Sequence, residues 1–318
     1  MVYRLCIMTI YLILIFIGIL GILVLLSIPI IIIWYVAYIC FFETSTREID
    51  AYSWLHSKFC RYFLEKLPSP QSSHVVFRDK EAIDRHSTGG KQILYALHPH
   101  GMIAQGRLLH MTHSSSELYP YFVRSYQAIH SFAFRIPFMR ELLLAGKCIP
   151  AHESFLDTFI TQGNNISIFP GGVREIKDCS MKDGDKRDYY YLKKRRGFIR
   201  IALKHKMAIV PVLFWEDQQT FTYERTPAVK SIERSIKFIT DYSVDLGIFQ
   251  MFRWKNLRQL WNVITGKCDT QYVYVGAPIE FAEGTPLEDA HTLYIEAIRE
   301  LHTFAKQDRG SDRVLVIT

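Results

Sequence analysis

Between Leu5 and Phe42 the chain carries no charged side chain, and this run constrains the molecule more than any motif does. A helix crosses the roughly 30 Å hydrocarbon core of a bilayer in about 20 residues, so the run exceeds one crossing and falls slightly short of two. Pro29 divides it into Leu5–Ile28 and Ile30–Phe42, and a proline removes a helical hydrogen bond and favours a kink or a turn. The pattern predicts a transmembrane hairpin over residues 1–43 that enters and leaves by one face; a single span is the alternative, since the second piece is short. A cleaved signal peptide is excluded by length, because its apolar region runs to about 7–15 residues before a small-residue cleavage site. Trp34, Tyr35 and Tyr38 are amphipathic aromatics of the kind that gather at membrane interfaces.

Of the 38 Lys and Arg only Arg4 precedes Glu43, and none of the 31 Asp and Glu does. The remainder is mildly basic, which suits an anionic lipid surface or a polyphosphate ligand. Six cysteines stand at Cys6, Cys40, Cys60, Cys148, Cys179 and Cys268 with no C-x-x-C pair, so neither a disulfide framework nor a zinc site is expected. Reduced thiols agree with a cytosol-facing domain. Residues 44–70 mix charges with Trp54, Phe59, Tyr62, Phe63 and Leu67 before Pro-Ser-Pro, as an interfacial helix and connector would.

From residue 71 to 318 short apolar runs alternate with helical periodicity, which predicts one α/β domain of mixed sheet and flanking helices. The expected strands are Val75–Phe77, Gln92–Leu97, Ile166–Phe169, Ala208–Phe214 and Gln271–Val275, and the expected closing helix is Glu288–Lys306.

Two of these strands end in breakers next to reactive side chains. His98-Pro99-His100-Gly101 follows Ile93–Leu97, and Phe169-Pro170-Gly171-Gly172-Val173-Arg174-Glu175 follows Ile166–Ile168. Proline cannot donate to a sheet and glycine tolerates positive φ, so the chain leaves the strand at both places. Ligands of α/β sheets bind outside the carboxyl ends of strands, where an imidazole titrating near neutrality can act as general base. Either His100 or His98 is the candidate base, Glu175 the carboxylate, and Gly101, Gly171 and Gly172 the turn residues able to present backbone donors. Arg174 is a candidate anion contact. Arg196, Arg200 and Lys204 recur at helical spacing and form a basic row able to meet the phosphates of coenzyme A. Nucleophile-elbow, phosphate-loop, dinucleotide and H-E-x-x-H signatures are lacking. His98 and His100 lack a further ligand cluster, so no metal is expected.

These motifs, in this order, resemble the diacylglycerol acyltransferase type 2 family, which includes monoacylglycerol and wax-alcohol acyltransferases. The resemblance runs through the apolar block, His98-Pro99-His100-Gly101, Phe138-Met139-Arg140-Glu141, Gly163-Asn164, Pro170-Gly171-Gly172 with Glu175, Arg196-Gly197-Phe198, Val210-Pro211-Val212 and Val275-Gly276-Ala277-Pro278-Ile279. It implies a glycerolipid-acyltransferase-like fold over 71–318, and acyl-CoA as co-substrate with no further cofactor. The implied setting is the endoplasmic reticulum membrane or a lipid droplet, with the catalytic domain cytosolic. The implied partners are a neutral lipid acceptor and the membrane, not nucleic acid, and an oligomer is left open. Diacylglycerol is the expected acceptor; monoacylglycerol, a long-chain alcohol, a lysophospholipid and a glycerophosphate are alternatives, and a lipid-binding, membrane-shaping protein is the non-enzymatic one. Where related glycerolipid acyltransferases place an Asp four residues after the His, this chain has Met102 and Ala104, so the carboxylate must come from elsewhere. The family's Phe-Gly-Glu is here Phe214-Trp215-Glu216, and the indole is expected to narrow a substrate pocket.

Overall fold

The computed structural model describes residues 27–38, 49, 73–100, 116–136, 139–172, 175, 186–215, 231, 234–235, 254–264 and 271–318. Gly101, Arg174 and all of 44–70 except Ile49 lie outside them. Residues 27–38 are helical, and their apolar side chains, Ile30 to Trp34 among them, face outward. The helix runs through Pro29, so the described residues give no turn there. The residues before Ser27, and with them the course of the expected hairpin, lie outside the description. Among the described residues no helix is long and apolar enough to cross a membrane. Tyr38 ends this stretch stacked on Trp34, and the buried Arg140 guanidinium lies over its ring. Ile49 is fully buried in the main core.

A seven-stranded sheet forms the centre, in the order β1-β8-β7-β2-β5-β3-β4. Its strands are β1 (Ser73–Phe77), β2 (Ile93–His98), β3 (Ser125–Ile129), β4 (Cys148–Pro150), β5 (Asn165–Ile168), β7 (Ala208–Trp215) and β8 (Gln271–Val275). β7, β2, β5, β3 and β4 run parallel, β8 joins β7 antiparallel, and β1 follows β8. The five expected strands are all present, and the mixed α/β sheet is as expected. β3 and β4 are additional, and so is a separate parallel pair, β6 (Arg187–Tyr190) with β9 (Val314–Ile317).

β2 is the middle strand, and all six of its residues are buried. A parallel strand covered on both faces reads as a continuous apolar run, as Ile93–Leu97 does. Successive side chains of a strand point to opposite faces. Ile93, Tyr95 and Leu97 accordingly enter a layer with Ile83 of α1 (Lys80–Thr88) and Phe122 of α2 (Tyr119–Phe122). Leu94 and Ala96 enter the opposite, larger layer. Its helices are α3 (Met139–Ala145), α4 (Glu153–Thr161), α5 (Gly197–Lys204) and, beyond α6 (Trp254–Ile264), α7 (Leu287–Asp308). α7 buries Ala290, Tyr294, Ile298, Leu301 and Ala305, a stripe at spacings of three and four. Trp215 also enters this layer, against Tyr274 and His302; the indole fills core.

Candidate active site

Strand parity separates the two histidines. His98 is the last residue of β2 and has the parity of Leu94 and Ala96, so its ring enters the α7 layer. There it is fully buried, its Nε2 hydrogen-bonded to the Tyr294 hydroxyl at 2.5 Å and its face stacked on Tyr190 at 5.1 Å. Its Nδ1 is buried with no hydrogen-bond partner among the described residues. Burial holds its pKa down to about 3, because a charged imidazolium loses hydration there. After Pro99, whose peptide bond with His98 is cis, His100 stands beyond the strand end, half-buried, with its ring 4.9 Å from that of Phe169.

β5 pairs with β2 directly, Ala96 opposite Ile168, so the turns that follow the two strands emerge side by side. At the β5 exit the Gly172 N–H donates to the Phe169 carbonyl at 3.1 Å, closing the turn with Gly172 at φ 57°, where an L side chain is strained. That bond already engages one of the expected turn donors. Gly171 meets a different requirement, close approach: a Cβ there would lie 2.4–2.7 Å from the carboxyl atoms of Glu175.

Glu175 is buried, and backbone donors occupy both its oxygens. The His100 N–H donates to Oε2 at 2.9 Å, and the Tyr191 N–H donates to Oε1 at 3.3 Å. The carboxylate therefore ties the β2 exit to the segment after β6 through the main chain. Burial pushes its pKa up to about 7, against the pull of these two N–H donors and of nearby Arg195.

The Tyr191 donor is itself held from the C-terminal end of the domain. β9 pairs with β6, and the N–H groups of Leu192 and Lys193 both donate to the Thr318 carbonyl. Next to them the buried Asp188 accepts from the Arg313 Nε and Nη2 and is hydrogen-bonded to His302 Nε2. Although burial raises the Asp188 pKa, the His302 and Arg313 bonds outweigh it and hold the carboxyl below its ordinary value. Sequence reading missed this clasp, since RDYY and VLVI are too short and too far apart to signal a pair.

The basic row of α5 lies elsewhere. Arg196 pairs with Glu288, Arg200 with Glu153 at 3.7 Å, and Lys204 with Glu153 and Asp157 at 3.2 and 2.7 Å, all on the surface. A polyphosphate would have to displace those carboxylates to reach the row. Arg195, one residue earlier, faces the other way: its Nη2 is 3.4 Å from the Gly171 carbonyl. The structure thus brings His100, Glu175, Gly171 and Gly172 together, walls His98 off beside them, and leaves Arg196, Arg200 and Lys204 outside. Among the described residues no group of His, Cys, Asp and Glu could hold a metal ion.

The family model for diacylglycerol acyltransferase matches residues 21–318. Diacylglycerol O-acyltransferase 2 of Danio rerio is 24% identical over 228 residues, which cover 66% of this chain and 60% of that protein. Human 2-acylglycerol O-acyltransferase 1 is 23% identical over 227 residues, covering 65% and 63%. The chain thus spans somewhat under two thirds of the relatives it matches. Among solved structures, a 1-acyl-sn-glycerophosphate acyltransferase from Thermotoga maritima overlaps at a TM-score of 0.40 with 12% identity, over 85% of this chain and 87% of that one, too loosely to bear on chemistry.

Proposed function

Given that this chain belongs to the diacylglycerol acyltransferase family, we propose that it transfers an acyl group from acyl-CoA to the hydroxyl of a neutral lipid, with diacylglycerol as acceptor and triacylglycerol as product. The observation that carries this is the main-chain tie between the two strand exits, His100 N–H to Glu175, which sets the backbone of a half-buried histidine against a buried carboxylate.

His100 removes the proton as the lipid oxygen attacks the thioester carbonyl. The tetrahedral intermediate collapses, the carbon–sulfur bond breaks, and the proton passes from the imidazolium to the departing thiolate, leaving an ester and free coenzyme A. Glu175 bonds backbone rather than an imidazole, so its part is to hold the turn and to set a negative charge near the cation that forms. His98 is a poor base by comparison, since a group with a pKa of about 3 has little drive to take a proton near neutrality. Lipid hydroxyls reach such a site from a membrane, which fits an enzyme held by its apolar N-terminal run at the endoplasmic reticulum or a lipid droplet.

The test supplies labelled acyl-CoA to membranes containing the protein and offers diacylglycerol, monoacylglycerol, a long-chain alcohol and a lysophospholipid separately. Labelled triacylglycerol is the expected product. Label confined to phospholipid would assign a different acceptor, and label in no ester would remove the enzyme reading.

A further inference from the structure

Four basic residues, Lys193 to Arg196, lead into α5, and one of them turns inward. The guanidinium of Arg195 lies over the Tyr191 ring, 5.3 Å from its centroid, and its Nη2 points at the Gly171 carbonyl at 3.4 Å. Its Nε is buried with no hydrogen-bond partner among the described residues. A buried donor without a partner costs about 1–3 kcal/mol, so a position elsewhere would be favoured unless something holds the group there. What surrounds it is the site: the carbonyl it meets belongs to the Gly171–Gly172 peptide, and Tyr191 is the residue whose N–H reaches Glu175. The pantetheine arm separates the phosphates of coenzyme A from its sulfur. On the acyl-transfer reading a cation at this turn would stand near the reacting carbonyl rather than near the diphosphate.

We propose that Arg195 is a positioning residue of this site, fastening the Gly171 carbonyl and the Tyr191 ring so that the turn after β5 keeps Glu175 seated against the His100 N–H. The inference rests on the acyl-transfer reading above. Arg195 acts through Glu175, and the other groups around that carboxylate are the His100 N–H in the β2 exit turn, Tyr190 at the end of β6 with Tyr191 after it, and Tyr294 of α7. Tyr190 and Tyr294 stay neutral, since burial raises both phenols well above their ordinary value. That leaves Arg195 as the cation opposing the Glu175 proton among the groups named.

The test compares wild type, Arg195→Gln and Arg195→Lys in membranes, measuring kcat, KM for acyl-CoA and the pH–rate profile. Arg195→Gln is expected to lower kcat about tenfold or more with KM changed less than about threefold, since a misplacement of about 1 Å costs on the order of 10²-fold. Its acidic limb should move to higher pH, and Arg195→Lys should restore the limb and part of kcat. A rise in KM alone would instead make Arg195 a contact for the coenzyme and overturn the proposal, as would an unmoved limb with unchanged kcat. If Arg195→Gln fails to accumulate, the limb of Arg195→Lys decides: a limb unlike wild type overturns the proposal, and a retained limb with lowered kcat supports it. Absence of transfer by wild type would be the failure of the acyl-transfer reading instead.

Discussion

Two sets of charged groups in this chain are built on opposite terms. At the exits of β2 and β5 a single carboxylate is buried and held by backbone N–H groups from two segments. Along α5 three cations stand in solvent against Glu288, Glu153 and Asp157. Hydrogen bonds to a charged group contribute about 1.5–3 kcal/mol, whereas exposed ion pairs contribute about 0–1 kcal/mol and weaken with salt. Only the first arrangement shifts a pKa into the range where chemistry at neutral pH can use it. The lesson is that local density of charge is a poor guide to where the chemistry lies; what holds the charge is a better one.

The largest expected difference between the two regions comes from His100→Ala, which should lower acyl transfer by about 10²–10⁴-fold, the usual worth of a general base, with expression and membrane association retained. Activity close to wild type would end the base role at this turn. Gly171→Ala should come next. Its methyl group would occupy the place of the Glu175 carboxyl, so it should match Glu175→Ala in severity, and the double variant should lose little more than either single one, as coupled neighbours do. Additive losses would mean that Gly171 matters for another reason.

Titration separates the regions in a third way. The folded pKa of Glu175, about 7, lies above its ordinary value of 4.5, so the folded chain holds this proton more tightly than the unfolded one. The stability this group contributes is full below about pH 4.5 and is lost as pH rises through about 7. Activity should run the other way, rising through about pH 7 as the carboxylate gains the charge that both N–H donors require. Thermal unfolding and initial rates measured across pH 5–9 check both slopes, and Glu175→Gln should flatten the first. The smallest effect belongs to the row: replacing Arg196, Arg200 and Lys204 together with glutamine should raise the KM for acyl-CoA less than about threefold. A larger rise would show that phosphate does displace the paired carboxylates.

Much of this site is legible in the sequence. An apolar run followed at once by proline or glycine marks a strand exit, and two such exits carried the histidines and the carboxylate. Their adjacency was legible only as a hope, since it depends on β5 pairing with β2 across the chain. The fate of His98 was not, because strand parity sends it toward Tyr294, a partner 196 residues away. Nor could helical spacing reveal Arg195: the period selects Arg196, Arg200 and Lys204 as one face, and the inward residue sits just before the helix begins. Trp215 misled for a related reason. Compared with a glycine it promised a narrowed pocket, yet its parity on β7 buries it against His302.

The clasp of β9 on β6 also sets an order in time. A chain is made from its N-terminus, and its parts fold as they emerge. Tyr191 gives Glu175 its second donor from a segment whose pairing partner, Val314–Ile317, is translated well after it. The nascent polypeptide therefore carries both histidines, the glycine turn and the carboxylate without the strand that secures them until residues 314–317 have been made. The apolar run of residues 5–42 is made before any of them. On the acyl-transfer proposal attachment precedes competence, since the apolar run is made before β9 can close on β6.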